Sequence, residues 1–338
     1  QWVTCPGWQD SVRVLVHQYE LTIIGSGPET IIGQDVAWNE DQGYHKGIVV
    51  SDYWNNHVAR IEKLRFENMS NGIYSSYEEA GDNTVLIRDC EFMGNHDAVA
   101  LIGDGGDVRI SGCSFNYMAR DGLHIGAFRQ SKLVIEHCSF LLLDHHHWPQ
   151  RHISLNGVQN AHVTDCEFLE GSGAITVADG TNALVERCIM DGQSHLAIYP
   201  AVHCTIILDD CHIRNQAGVV YTPSPDSYVL IQRSTIANVS DYTFMIWHAG
   251  DIVVHDCDLS GGERGIVWCV ERNSCAEIQT LDMTGNYWGT ADPDSIADLI
   301  RDHHDSDDAC YIIDFEPSES ESTPVEKKSF GDLKALFR

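Results

Sequence analysis

The stretch "IRDCEFMGNHDAVALIG" at residues 87–103 returns along the chain as "ISGCSFNYMARDGLHIG", "VTDCEFLEGSGAITVADG" and "VERCIMDGQSHLAIYPA". Its marker positions are Cys90, Cys113, Cys138, Cys166, Cys188, Cys211, Ser234 and Cys257, spaced 23, 25, 28, 22, 23, 23 and 23 residues apart. Such a period marks stacked supersecondary units, none of which can bury its apolar face alone. A β-branched alternation precedes each marker ("VLIRDC", "LVIEHC", "ALVERC", "VLIQRS", "IVVHDC"), and a second short strand lies about 14 residues upstream of it. No helix fits between strands this close. Copies that pair in register and in one direction must therefore wind as a coil, an all-β parallel solenoid.

Stacking places like residues about 4.8 Å apart on neighbouring coils. The marker cysteines then act as small buried hydrophobes and are expected to be free thiols. The upstream strands form one ladder whose inward residues are expected to be Ile48/Val50, Ile73/Ser75, Val99/Leu101, Leu123/Ile125, Ile153/Leu155, Ile175/Val177, Ile198/Pro200, Val219/Tyr221, Phe244/Ile246 and Ile266/Trp268. Ten such coils make a rod roughly 45–50 Å long. The rod ends expose unpaired strand edges that need covering. "DSIADLIRDHH" reads as a short capping helix with Asp294 or Ser295 as N-cap and Ile296, Leu299 and Ile300 as its apolar face. "QWVTCPGW" is a poor cap at the other end, which leaves room for a partner or self-stacking through that edge.

The "DC-x-F/I/L" repeats together with "LDMTGNYWGTADPDSIADLIRDHHDSDDACYIIDFEP" at 281–317 resemble the right-handed parallel β-helix proteins of the pectate-lyase-like superfamily. The resemblance covers roughly residues 20–317. It implies a right-handed coil, closed by the "NYWG" turn and acidic cap, and a glycan groove on the strand face. That superfamily hosts lyases, hydrolases, epimerases and adhesins, so the fold alone does not choose among them. The expected organisation is a first coil at 1–33, coils at 34–289, a cap at 290–317 and a polar tail at 318–338. That tail ("SESESTPVEKKS", then "FGDLKALFR") resembles the ends of secreted bacterial repeat proteins and points to export.

Charge narrows the partners. With Asp+Glu 50 against Lys+Arg 21 the net charge is −29, which repels phosphate backbones and anionic membranes and argues against nucleic acid. Capture of an acidic sugar needs a local basic patch or bound cations. No apolar run is long enough to span a membrane. The chain begins at Gln1 without a basic-then-apolar leader, which points to a mature or trimmed form.

Residues between inward positions should face solvent. Most are bland (Val49, Ala98, Ala100, Ala174, Val220, Val267), but the middle coils carry Tyr74, His124, His152, Ser154, Thr176 and Tyr199. Turns beside them add His96, Asp97, Arg120 and Asp121, and the insertion "LLLDHHHWPQRH" adds Asp144, His145, His146, His147, Trp148 and Arg151. Extra length and polar chemistry coincide there, as functional loops on a scaffold do. The expected site is therefore the 95–155 face, acting on polysaccharide, as the resemblance implies. His124 or His152 would be the base, Arg120 or Arg151 the charge neutraliser, and Asp97 or Asp121 an orienter or acid. Tyr74, Trp148 and Tyr199 would stack on sugar, with His96, Ser154 and Thr176 lining the groove.

A Lys downstream of "NHDAVAL" and "RDGLHIG" is missing, which argues against the hydrolases of the superfamily and favours a lyase or epimerase. Non-catalytic glycan binding and a self-assembling structural role are the alternatives. Asp144, His145 and His147 are candidate ligands for a transition metal, and Asp104 and Asp107 for Ca²⁺, with plain acidic turns as the simpler reading. Cys269 and Cys275 either close a small disulfide loop or remain thiols. No G-x-S-x-G nucleophile motif occurs.

Overall fold

The structure, a computed structural model, describes residues 3–4, 11–16, 20–33, 45–50, 58–75, 84–103, 106–126, 132–142, 151–222, 226–247, 251–270 and 277–320. Among the described residues the coils build three sheets, of 13, 10 and 9 strands in the order the chain visits them, parallel except where the first strand of the 13-stranded sheet joins it. The third strand is short and follows the marker cysteine directly, as in Glu91–Met93 and Ser114–Asn116. Sequence periodicity had suggested two strands per coil. The missed one is only three residues long in these coils, too short to show an alternation. Among the described residues the third sheet has nine strands and is continued by the parallel bridges of Thr235 with Asp258 and of Asp258 with Tyr287, close to the ten coils expected.

Register across the coils makes columns of like side chains. In the third sheet Phe66, Phe92, Phe115, Phe140 and Phe168 stack with centroids 4.9, 5.0, 4.5 and 5.0 Å apart. In the second, Ile61, Ile87, Ile110 and Ile135 follow one another. In the first, Ile73, Val99, Leu123, Ile153, Ile175 and Ile198 continue into Val220, Phe244 and Val267. The last part corrects the expected alternation. Val220 and Val267 take the inward places assigned to Val219 and Ile266, and Tyr221 and Trp268 point outward. Their turns shift the strand by one residue, and a one-residue slip flips every side chain.

The thiols lie between the second and third sheets. Cys90, Cys113, Cys138, Cys166, Cys188, Cys211 and Cys257 are free and buried, as expected. Each thiol donates to a carbonyl one coil away, as Cys113 does to Ile87 at 3.9 Å. Burial pushes the Cys257 thiol up to about 12, so it stays protonated and unreactive. Before each marker the chain turns through a left-handed residue: Lys63, Asp89, Gly112, His137, Asp165, Arg187, Asp210, Arg233 and Asp256 all have φ between 49° and 61°. Their N–H groups still donate to the next coil, for example Asp89 to Ser111 at 3.0 Å, so the ladder continues through the corner.

Both ends differ in detail from expectation. Val3–Thr4 pairs antiparallel with Ser11–Val16, covering part of the first sheet's edge. The capping helix is only Pro293–Ala297, with Asp292 as N-cap in place of Asp294 or Ser295, because Pro293 fits the first helical position. Ile300 leaves the helix and pairs with Val267 as the last strand of the first sheet. Behind it Asn286 is fully buried, donating to Val254 and Met283 carbonyls at 2.7 and 2.8 Å, and Trp288 packs edge-on against Phe315. Cys269 is a free buried thiol, so it closes no loop with Cys275, whereas Cys310 is disulfide-bonded.

Removing one ring from the phenylalanine column leaves a cavity with rigid neighbours on both sides. Phe115→Ala should cost about 3–5 kcal/mol in denaturant unfolding, and Tyr117→Ala, two residues on and exposed, less than about 0.5 kcal/mol.

Candidate functional site

The polar cluster forms where the chain rounds the corner from the third sheet into the first. Lys46, Asn71, Asp97, Asp121 and Arg151 occupy one row in register. The next residue of each coil bends inward against the phenylalanine column: a Cβ on Gly122 would lie 3.0 Å from Phe140. Small residues (Gly72, Ala98, Gly122, Ala174) hold this place in the other coils, and His152 holds it in the inserted one. The strand then presents Tyr74, Ala100, His124, Ser154, Thr176 and Tyr199 outward in one line.

Asp97 is the most constrained member, at 3% exposure. Arg120 grips it with two bonds, Nε at 2.8 Å and an Nη at 2.6 Å. Asn71 Nδ2 donates to it at 3.3 Å, as does the Asp121 N–H, and His96 Nδ1 stands 3.5 Å away. Burial opposes ionisation of this carboxyl. The His96 hydrogen bond and the charge of Arg120 outweigh it and hold Asp97 below the usual carboxylate range. Asp97 is thus an ionised anchor for Arg120, and not an acid.

Asp121, also buried, faces Arg120 Nε at 3.6 Å and His124 Nδ1 at 3.2 Å. A carboxylate on one ring nitrogen fixes the tautomer and leaves Nε2 as the basic atom. His124 stands between Ala100 and Ser154, both short and nearly buried, so its ring rises above its neighbours at 28% side-chain exposure. The chain Asp97–Arg120–Asp121–His124 brings together four of the residues the sequence singled out.

His152 is not part of it. Its ring is 0% exposed, tilted between Phe140 and Phe168 at 5.9 and 5.6 Å, with Nε2 donating to the Leu169 carbonyl at 3.2 Å and Nδ1 buried without a partner. Simple alternation had placed it outward beside Ser154; the corner turns it in. The signal was present in the run of Gly and Ala at this place in the repeat. Arg151 remains in the outward row, half-buried beside Asp121. Tyr74 carries Lys46 Nζ over its ring at 3.8 Å, so that face is taken. Ser154 and Thr176 are nearly buried. Ala98 and Ala174, expected outward, are fully buried at the same corner.

Sequence reading missed an aromatic run further along the outward line. Tyr199 stacks on Tyr221 at 6.2 Å, Tyr221 meets the edge of exposed Trp247 at 5.9 Å, and Tyr242 packs on Trp268 at 5.3 Å. The one-residue register shift had hidden Tyr221 and Trp268.

Trp148, Asp144, His145, His146, His147 and Asp104 lie outside the described residues. Asp107 is exposed and accepts the Lys132 N–H at 3.2 Å, a turn-stabilising role. Among the described residues no three His, Cys, Asp or Glu side chains converge as a metal site. No helix among them is long and apolar enough to cross a membrane.

A sequence profile described as "right handed beta helix region" matches residues 23–146 and 151–287, most of the chain. The chain belongs to this family. Comparison with curated proteins and with solved structures gives no match. The β-helix is therefore shown by family and coordinates together, and the chemistry of its outward face rests on the residues described above.

His152 stays neutral in the fold, its affinity for a proton lowered by burial from 6.5 to about 3. The unfolded chain takes up that proton below the ordinary histidine range, so stability falls as pH drops from about 6.5 toward about 3, by at most about 1.4 kcal/mol per pH unit. His152→Leu should flatten the slope of unfolding free energy between roughly pH 6.5 and 4.5, measured by denaturant titration at each pH.

Proposed function

We propose that the outward face of the first sheet binds uronate-containing polysaccharide and that His124 removes the proton next to the sugar carboxylate. The observation that carries this reading is the buried Asp121 on His124 Nδ1, 3.2 Å away, with the Arg120 guanidinium beside it. Nε2 of His124 accepts the proton. Charge then develops on the sugar carboxylate, where Arg120 and Arg151 can neutralise it. Expulsion of the glycosidic oxygen from the adjacent carbon, which carries away the electron pair and is protonated by solvent, gives lyase-type cleavage. Return of a proton to the opposite face gives epimerisation instead. Lys46, Arg120 and Arg151 outnumber the two carboxylates of the cluster, Asp97 and Asp121, which gives this face a less acidic character than the net charge of −29 imposes on the chain as a whole. A secreted location goes with such a substrate.

The aromatic run Tyr199, Tyr221 and Trp247 favours a second reading, in which sugar rings are held without turnover. A panel of uronic-acid polysaccharides, followed by the ultraviolet absorbance of the unsaturated product and by proton exchange from solvent, separates the two. His124→Ala should lower turnover about 10²-fold or more with the melting temperature nearly unchanged. Unaltered turnover in that variant removes His124 from the chemistry. Binding with neither product nor exchange establishes the second reading.

A further inference from the structure

The outward face of the first sheet divides into a charged half and an uncharged half. Its strands up to Arg151–Asn156 carry Lys46, Asp97, Asp121, His124 and Arg151. The next five, Gly173–Ala178, Leu196–Pro200, Gly218–Thr222, Phe244–Ile246 and Val267–Cys269, hold no charged residue and no histidine; charge returns with Arg301 in the last strand. The break is specific to this sheet. The same coils bring Glu186 and Asp209 to the second sheet and Asp191 and Arg214 to the third, in a chain of which 21% is charged. The row that holds Asp97, Asp121 and Arg151 continues in register as Gly173, Leu196 and Gly218. The outward line of His124 continues as Tyr199, Tyr221, Met245 and Trp268, all half-buried. Trp247 stands at 81° to Tyr221 and is 43% exposed, so at least one face of its indole is clear of Tyr221.

We propose that this uncharged half binds neutral sugar units, and that the polymer is a heteropolysaccharide with a uronate at His124 and neutral sugars over Tyr199, Tyr221 and Trp247. The identity of the polymer rests on the His124 chemistry proposed above; the neutral platform does not. A polymer lying along the rod meets both halves, because His124, Tyr199 and Tyr221 share one line, with Tyr221 four rungs from His124, about 19 Å. A carboxylate brought over the platform loses water and gains no cation, in the field of a chain of net charge −29. A neutral sugar keeps its hydroxyls in water and lays its C–H face on the aromatic rings without that penalty. A chain of uronates alone fits the charged half and is disfavoured over the other.

Calorimetric titration of the full chain with neutral gluco-, manno-, galacto- and xylo-oligosaccharides tests the platform. At least one is expected to bind, with an affinity that salt leaves unchanged and that Trp247→Ala lowers about tenfold. Tyr117→Ala, which removes a similarly exposed ring outside this face, should leave that affinity unchanged. Binding of none of these sugars, or binding that Trp247→Ala leaves intact, overturns the platform. So does a dimer in sedimentation that Trp247→Ala dissociates, which would make the face a contact between two copies. Turnover tests the polymer: heteropolysaccharides that join uronate to neutral sugar should show a lower KM than homopolymers of uronate, and Trp247→Ala should raise that KM with kcat retained. A homopolymer of uronate turned over at equal KM, insensitive to Trp247→Ala, sinks the heteropolymer and leaves His124 as base. Absence of turnover across the panel with neutral binding intact sinks the His124 chemistry and the heteropolymer with it, and leaves the platform standing.

Discussion

Everything in this molecule depends on the lateral hydrogen bonding of one coil to the next in unbroken parallel register. Each backbone N–H that would otherwise be stranded donates to a carbonyl one rung away, even at the corners. Because that bonding fixes the spacing, a residue's environment is decided by residues some two dozen places before and after it. Phenylalanine finds phenylalanine, thiol finds thiol, and isoleucine finds isoleucine. Columns of this kind need no long-range fold information beyond the period itself.

The same constraint explains how a polar site is built on an otherwise uniform scaffold. Asp97 and Asp121 sit one above the other in the register, and two neighbouring carboxylates would repel if nothing lay between them. Arg120, supplied by the turn just before Asp121, lies against both. His124 then reaches Asp121 from three residues further along. The cluster is thus a consequence of stacking one altered coil on another, and the inserted coil at 151–156 closes it on the far side with Arg151.

Most of the architecture was legible in the sequence because its signal is a period, which survives local error. The columns of Ile, Cys and Phe follow from alignment of the copies alone. What could not be read was anything set by a single dihedral choice. Alternation assumes a straight strand and so points His152 outward, but the corner at Gly72, Ala98 and Gly122 is not straight. Tyr221 and Trp268 were hidden for a similar reason, a shift of one place in the later coils. The ion pair of Asp97 with Arg120, the dyad of Asp121 with His124 and the stacking of Tyr199 on Tyr221 each depend on how adjacent coils stack, which composition does not specify. The spacing of Ile300 from Ile296 suits a helix, but pairing with Val267 places it in a strand.

The left-handed corner residues carry one more implication. Glycine adopts this backbone without steric penalty, and other residues lose roughly 1–2 kcal/mol there. Yet eight of the nine positions, Gly112 being the exception, bear a side chain, and each of these is charged or a histidine. Arg187 grips Asp165 across adjacent rungs from this column, at 2.9 and 3.0 Å. The bend is thus a column of charged and imidazole side chains along the rod, and its ion pairs tie one rung to the next beside the backbone ladder.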